Sequence, residues 1–210
     1  MAILLSRGDS ILFIGDSITD CGRRAGQVGP LGRGYPLLVA SRLQAQHPEL
    51  GLTFVNRGIS GDRIRDLAAR WERDAVALKP SVVSVLAGVN DTWRRFDGGG
   101  TSERDFERLY RSILDATRRE TSARLVLCEP FALSCGLVTK AWRDDLDPKI
   151  AAVRALAREF GAVLVPLDEL FAAAAAKAPP EYWAEDGVHP TPAGHGLIAR
   201  AWLKHVLDIE

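Results

Sequence analysis

The chain has 210 residues, 47% hydrophobic and 26% charged, with 27 Lys and Arg set against 27 Asp and Glu. That length and composition fit one soluble globular domain, 1–210, and the zero charge balance argues against a nucleic-acid or acidic-surface partner. No stretch approaches the roughly 20 apolar residues of a membrane span, the opening apolar run is too short for a signal peptide, and Cys21, Cys128 and Cys135 form neither a disulfide framework nor a zinc pattern, so no membrane partner and a reducing, cytoplasmic setting are expected.

Residues 11–14 are four consecutive large apolar side chains, read as a strand buried on both faces. The run stops at Gly15-Asp16-Ser17. The glycine permits a tight turn, and the serine stands where open α/β sheets place their sites. Ser17 there is either a nucleophile or, with Asp16, no more than a cap for the next helix. Residues 21–33, with several glycines and Pro30, read as an irregular loop that borders a site. Tyr35–Gln46 reads as a helix and 52–55 as a second strand.

The helix over 62–78 is the clearest, with Ile64, Leu67, Ala68, Trp71, Ala75 and Leu78 on one face and Ser60 or Asp62 as its cap. Residues 81–87 form the third strand. A helix follows over 102–119, opened by Ser102 and Asp105 in the manner of a capping box. Arg124–Cys128 is the fourth strand, 129–142 a loop and 144–160 a helix. A fifth strand over 162–165 and a short helix over 168–177 follow, then an irregular segment to Pro190. Thr191 and Pro192 start the last helix. Five short strands alternating with helices imply a three-layer α/β/α sandwich. Its parallel sheet would be flavodoxin-like, in the order 2-1-3-4-5.

In such a sheet the strand ends converge on one crevice. The residues brought there are Gly15-Asp16-Ser17, Asn56-Arg57-Gly58-Ile59-Ser60-Gly61, Gly88-Val89-Asn90-Asp91 and, from the last loop, Asp186-Gly187-Val188-His189. Those four blocks, in that order, resemble the SGNH hydrolases, the GDSL family of esterases and lipases. The stretches FIGDSITDCGR, NRGISGDRIRDLAARWERD, GVNDTWRRFD and DGVHPTPAGH are similar to those of the acetyl-xylan esterases in that family.

The resemblance implies the SGNH hydrolase fold and a serine esterase without cofactor or metal. Ser17 would attack the ester, His189 would be its base and then the acid for the leaving alcohol, and Asp186 would orient the imidazole. The N–H groups of Ser17 and Gly58 and the amide of Asn90 would bind the oxyanion. Each residue also has a plainer role: a surface histidine, a turn aspartate, a turn glycine, an Asx turn. A zinc site of Asp186, His189 and His195 lacks a strong spacing signature.

Asp16, Trp93, Arg94 and Trp183 are candidate substrate contacts, although Asp16 also suits a cap and Trp93 could pack beneath its loop. Trp93 and Phe96 could form a platform for a sugar ring, and the three glycines of 92–100 suggest a mobile segment. The implied substrate is a small acetylated carbohydrate, acetylated xylo-oligosaccharides foremost, and the subgroup together with the Trp-bearing loops suggests a homo-oligomer. Two other readings stand beside this one: a thioesterase or lysophospholipase of the same fold, and a non-catalytic sugar-binding or partner-binding module.

Overall fold

The computed structural model describes residues 3–23 and 29–209. Five parallel strands form one sheet in the order β2-β1-β3-β4-β5. They are β1 (Ser10–Gly15), β2 (Thr53–Asn56), β3 (Val82–Leu86), β4 (Arg124–Cys128) and β5 (Val163–Val165). The expected strand order is therefore the observed one.

Alternation along β1 decides the two faces. Ile11 and Phe13 join a core with α2 (Tyr35–Gln46), α7 (Leu167–Ala175) and α9 (Pro192–Leu207). Leu12 and Ile14 join a second core with α3 (Ile64–Asp74) and α5 (Glu103–Glu120). All four are completely buried, and each such side chain contributes about 1.5–3 kcal/mol on burial. The helix α6 (Lys140–Glu159) feeds both cores. Ser84, a polar residue in the middle strand, accepts the indole N–H of the buried Trp202 at 3.0 Å, so its burial leaves no unmet hydrogen bond.

Several boundaries differ from expectation. The α3 helix begins at Ile64 with Arg63, not Ser60 or Asp62, at its N-cap position. Asp66 reaches back to accept the Arg63 N–H at 3.0 Å. The helix stops at Asp74, and Leu78 lies in a separate 3-10 turn, Val76–Leu78. The α6 helix starts at Lys140, because Trp142 extends the Leu146, Ile150, Val153 face by one turn. The segment before Pro190 contains the short α8 (Pro180–Trp183).

The short helices α1 (Ser17–Asp20) and α4 (Val89–Trp93) spring from the ends of β1 and β3. A 3-10 turn, Arg94–Asp97, continues α4. Within 92–100, where the three glycines suggest a mobile segment, Arg63 and Arg65 donate to the carbonyls of Gly99 and Gly100, at 2.9 and 2.8 Å. The 21–33 loop falls partly on 24–28, outside the described residues.

Candidate active site

The backbone must turn sharply after β1 to bring Ser17 to the surface. Just before that turn Gly15 packs against β3, where a Cβ would stand 2.2 Å from the carbonyl oxygen of Leu86. Ser17 then opens α1, with its N–H at the positive end of that helix turn.

Ser17 Oγ lies 3.0 Å from Nε2 of His189. The other ring nitrogen of His189 lies 2.6 Å from Oδ2 of Asp186. Oδ1 of Asp186 accepts the backbone N–H groups of Val188 and His189, at 2.9 and 2.7 Å. Burial acts to raise the Asp186 pKa, but His189 and those two N–H groups outweigh it and hold the carboxyl below its ordinary value. An ionised Asp186 fixes the proton on Nδ1 and leaves the Nε2 lone pair facing the serine hydroxyl.

The loop carrying both residues is held from outside. Leu133 N–H donates to the Gly187 carbonyl at 2.8 Å, and Gly187 has φ +85 with no room for a Cβ beside the Leu133 carbonyl.

Asn90 sits in α4, and one hydrogen of its side-chain amide goes to the carbonyl of Asp62 at 3.1 Å. That bond fixes the amide plane and leaves the second hydrogen for a ligand. Behind Asn90, the buried Asp91 accepts the Ile64 N–H at 3.0 Å. The fully buried Lys149 lies 3.4 Å from Thr92 Oγ1 and pairs with Asp145. These contacts lock α4 between α3 and α6.

Gly58 does not fit the oxyanion role expected of it. Its N–H is already donated to the side chain of Asn56 at 2.8 Å, an Asx turn two residues long. A Cβ on Gly58 would stand 2.2 Å from the backbone nitrogen of Asp20. Close packing, not anion binding, explains this glycine. Three residues on, Gly61 lines the cleft together with Ser17, Ser60, Asn90, Trp93, Arg94 and His189. Its φ of +87 requires glycine, and among the described residues no acceptor takes its N–H. Ser17, Gly61 and Asn90 line this one cleft, and among the described residues no acceptor takes the N–H of Ser17, the N–H of Gly61 or the second amide hydrogen of Asn90. Reading Asn56 and Gly58 as an Asx turn would have shown this in the sequence.

The cleft holds about 340 Å³. Trp93 and Arg94 line it as expected, with the Trp93 ring 5.8 Å from that of His189. Trp183 does not: its indole N–H donates to the Ala174 carbonyl at 3.1 Å, and its surroundings are Ala193, Gly196, Leu197 and Arg200. His195, weighed as a metal donor, has both nitrogens engaged. Nδ1 accepts the Tyr35 N–H at 3.2 Å, and Nε2 lies 3.3 Å from Cys21 Sγ. Burial pushes its pKa down to about 4, so the ring is neutral.

Asp16 is likewise not a substrate contact. It is 1% exposed; Oδ1 accepts the Ile18 N–H at 3.0 Å, and Oδ2 has no partner. Burial, only partly offset by the Ile18 bond and by His189, pushes its pKa up to about 7. An unfolded aspartate titrates near 3.9. The stability Asp16 contributes is therefore complete below roughly pH 4 and lost as the pH rises through about 7. Asp16→Asn keeps an oxygen for Ile18 and cannot ionise. We expect it to be more stable than the parent by roughly 2 kcal/mol at pH 8, with the gap closed at pH 4. Urea midpoints at the two pH values check this; equal midpoints at pH 8 contradict it.

Comparison with known proteins shows the family. The model of the GDSL-like lipase/acylhydrolase family matches residues 13–197. An acetylxylan esterase of Geobacillus stearothermophilus is 38% identical, over 96% of this chain and 95% of its own. Its crystal structure superposes with a TM-score of 0.88 over 97% of this chain and 96% of that one. A crystal structure of a GDSL-like protein from Parabacteroides merdae gives a TM-score of 0.93 at 36% identity, over 98% of each chain. Three solved forms of the Geobacillus esterase are described as catalytic mutants, with a serine, a histidine or an aspartate replaced by alanine.

Proposed function

We propose that this chain, which belongs to the GDSL-like lipase/acylhydrolase family and is a carboxylic ester hydrolase, removes O-acetyl groups from short carbohydrates through an acetyl-Ser17 intermediate. The observation that carries the mechanism is the unbroken line from Ser17 Oγ through His189 to Asp186, with contacts of 3.0 and 2.6 Å.

In the first half-reaction Nε2 of His189 takes the Ser17 proton as Oγ bonds to the acetyl carbon. The carbonyl oxygen becomes an oxyanion before Ser17 N–H, Gly61 N–H and the Asn90 amide. The C–O bond to the sugar then breaks, and His189 returns the proton to the departing hydroxyl. In the second half a water enters. His189 takes one of its protons, the hydroxide attacks the acetyl carbon, and the tetrahedral intermediate expels Ser17 Oγ, which recovers the proton from His189 as acetic acid leaves and ionises in solvent. Asp186 stays ionised throughout and offsets the imidazolium charge.

The substrate class rests on the name of the Geobacillus relative and on the character of the cleft. Its lining is mostly serine, glycine, asparagine, arginine and histidine, with one aromatic wall. That suits a hydroxyl-rich ligand with a two-carbon acyl group better than a fatty chain. The three free thiols suit a reducing, cytoplasmic compartment. The test compares acetate release from acetylated xylo-oligosaccharides with hydrolysis of aryl acetate and aryl decanoate. Release of acetate from the sugars, with acetate strongly preferred over decanoate, supports the reading. A preference for decanoate, or intact acetylated sugars beside a hydrolysed aryl acetate, overturns it.

A further inference from the structure

An aromatic series runs outward from the catalytic histidine. Trp93 faces His189 at 5.8 Å between centroids and meets the edge of Trp142 at 5.6 Å. Phe96 lies on the same Trp142 at 5.6 Å with only 24° between the ring planes. Trp142 is 4% exposed, whereas Phe96 is 53% exposed. One face of the Phe96 ring is thus backed by a buried indole, and the other is open to solvent.

This is not a loose loop tip. Arg95 pairs with Asp145 on α6 at 3.1 Å, and Arg94 with Asp97 at 2.8 Å. Gly99 N–H closes the turn on the Arg94 carbonyl at 2.7 Å. The turn therefore holds a flat, rigid apolar plate beside guanidinium groups, two ring contacts out from the Trp93 wall of the cleft.

A flat apolar plate edged with charged donors fits a particular ligand. A pyranose ring has one face of C–H groups and a rim of hydroxyls. Its C–H edges carry partial positive charge and pack on the negative face of an aromatic ring, while the rim hydrogen-bonds to nearby arginines. A fatty chain would want a continuous apolar trough, and arginines interrupt this surface. A protein partner would want several hundred Å² of contiguous apolar area, and one phenylalanine falls short of that.

We propose that the exposed face of Phe96 is a stacking platform for a sugar ring beyond the one whose acetyl group sits over Ser17, so that the enzyme binds acetylated chains more tightly than acetylated monosaccharides. This rests on the carbohydrate reading above.

The test uses the full chain with Phe96→Ala and Phe96→Trp, on three substrates: aryl acetate, acetylated xylose and acetylated xylo-oligosaccharides. Phe96→Ala should change the first two by less than about twofold. It should lower kcat/KM on the oligosaccharides by roughly 5- to 10-fold, through KM and not kcat. Phe96→Trp should keep or improve the oligosaccharide value. An unchanged oligosaccharide KM in Phe96→Ala overturns the platform, as does an equal loss on all three substrates, which would make Phe96 a support of the cleft.

If the parent hydrolyses no acetylated sugar, the carbohydrate reading itself has failed. Unacetylated xylo-oligosaccharide as an inhibitor of aryl acetate hydrolysis then reads the platform alone. A Ki raised 5- to 10-fold by Phe96→Ala supports it; an unchanged Ki, or no inhibition of the parent, sinks it.

Discussion

Replacing Ser17 by alanine lowers kcat on an acetyl ester by roughly three to six orders of magnitude. The side chain that is lost hydrogen-bonds to His189 at 3.0 Å, and α1 keeps its Asp16 cap. The fold should therefore be untouched, with a thermal midpoint within about a degree or two of the parent, as for a surface substitution. What remains is the oxyanion site acting on an unassisted water, which still gives a measurable rate. Because the covalent intermediate needs Oγ, the acetylated protein seen by mass spectrometry in a rapid quench of the parent should vanish in Ser17→Ala. Activity within tenfold of the parent would show that the nucleophile lies elsewhere.

The second large effect belongs to Asn90. Asn90→Ala removes a side-chain donor aimed at the developing charge, and each such donor is worth about 10²- to 10³-fold in kcat. KM should hardly move, because the ground-state carbonyl takes little from that bond. Asn90→Asp is the sharper test. It keeps the shape but sets a carboxylate where negative charge must accumulate, and it puts an acceptor beside the Asp62 carbonyl to which the amide donates at 3.1 Å. The aspartate variant should be slower than the alanine variant at pH 8. The reverse order, or a kcat within threefold of the parent for both, would remove Asn90 from the oxyanion site.

Much of this was legible in the sequence. The three layers follow from apolar runs alternating with helices, since Leu12 and Ile14 are covered on one face and Ile11 and Phe13 on the other, and right-handed crossovers leave few strand orders, the observed one among them. The expected triad drew on two blocks far apart in the chain, Gly15-Asp16-Ser17 and Asp186-Gly187-Val188-His189. The errors have local causes. In the sequence Gly58 reads as an oxyanion donor because a glycine at a strand end suits both close packing and anion binding, and only the hydrogen-bond partner of its N–H separates the two. Trp183 precedes Asp186 by three residues, but the α8 turn directs its indole toward Ala174. Asp16 adjoins the nucleophile in sequence while its carboxylate faces the interior. Lys149 gave no signal, since a lysine in an amphipathic helix is ordinarily solvated.

Ser17 and His189 meet across 172 positions of chain. His189 is held by a loop that leads straight into α9, and α9 packs against β5 and α2. A ribosome-bound fragment that ends before Asp186 therefore has a serine but neither its base nor the carboxylate that orients it, however much of the sheet it has already formed. Hydrolysis therefore waits for the loop 186–189 and for the helix that follows it. During refolding, the return of ester cleavage reports the closing of a contact across 172 positions of chain, a slow event by its topology, and lags behind any signal from the helices.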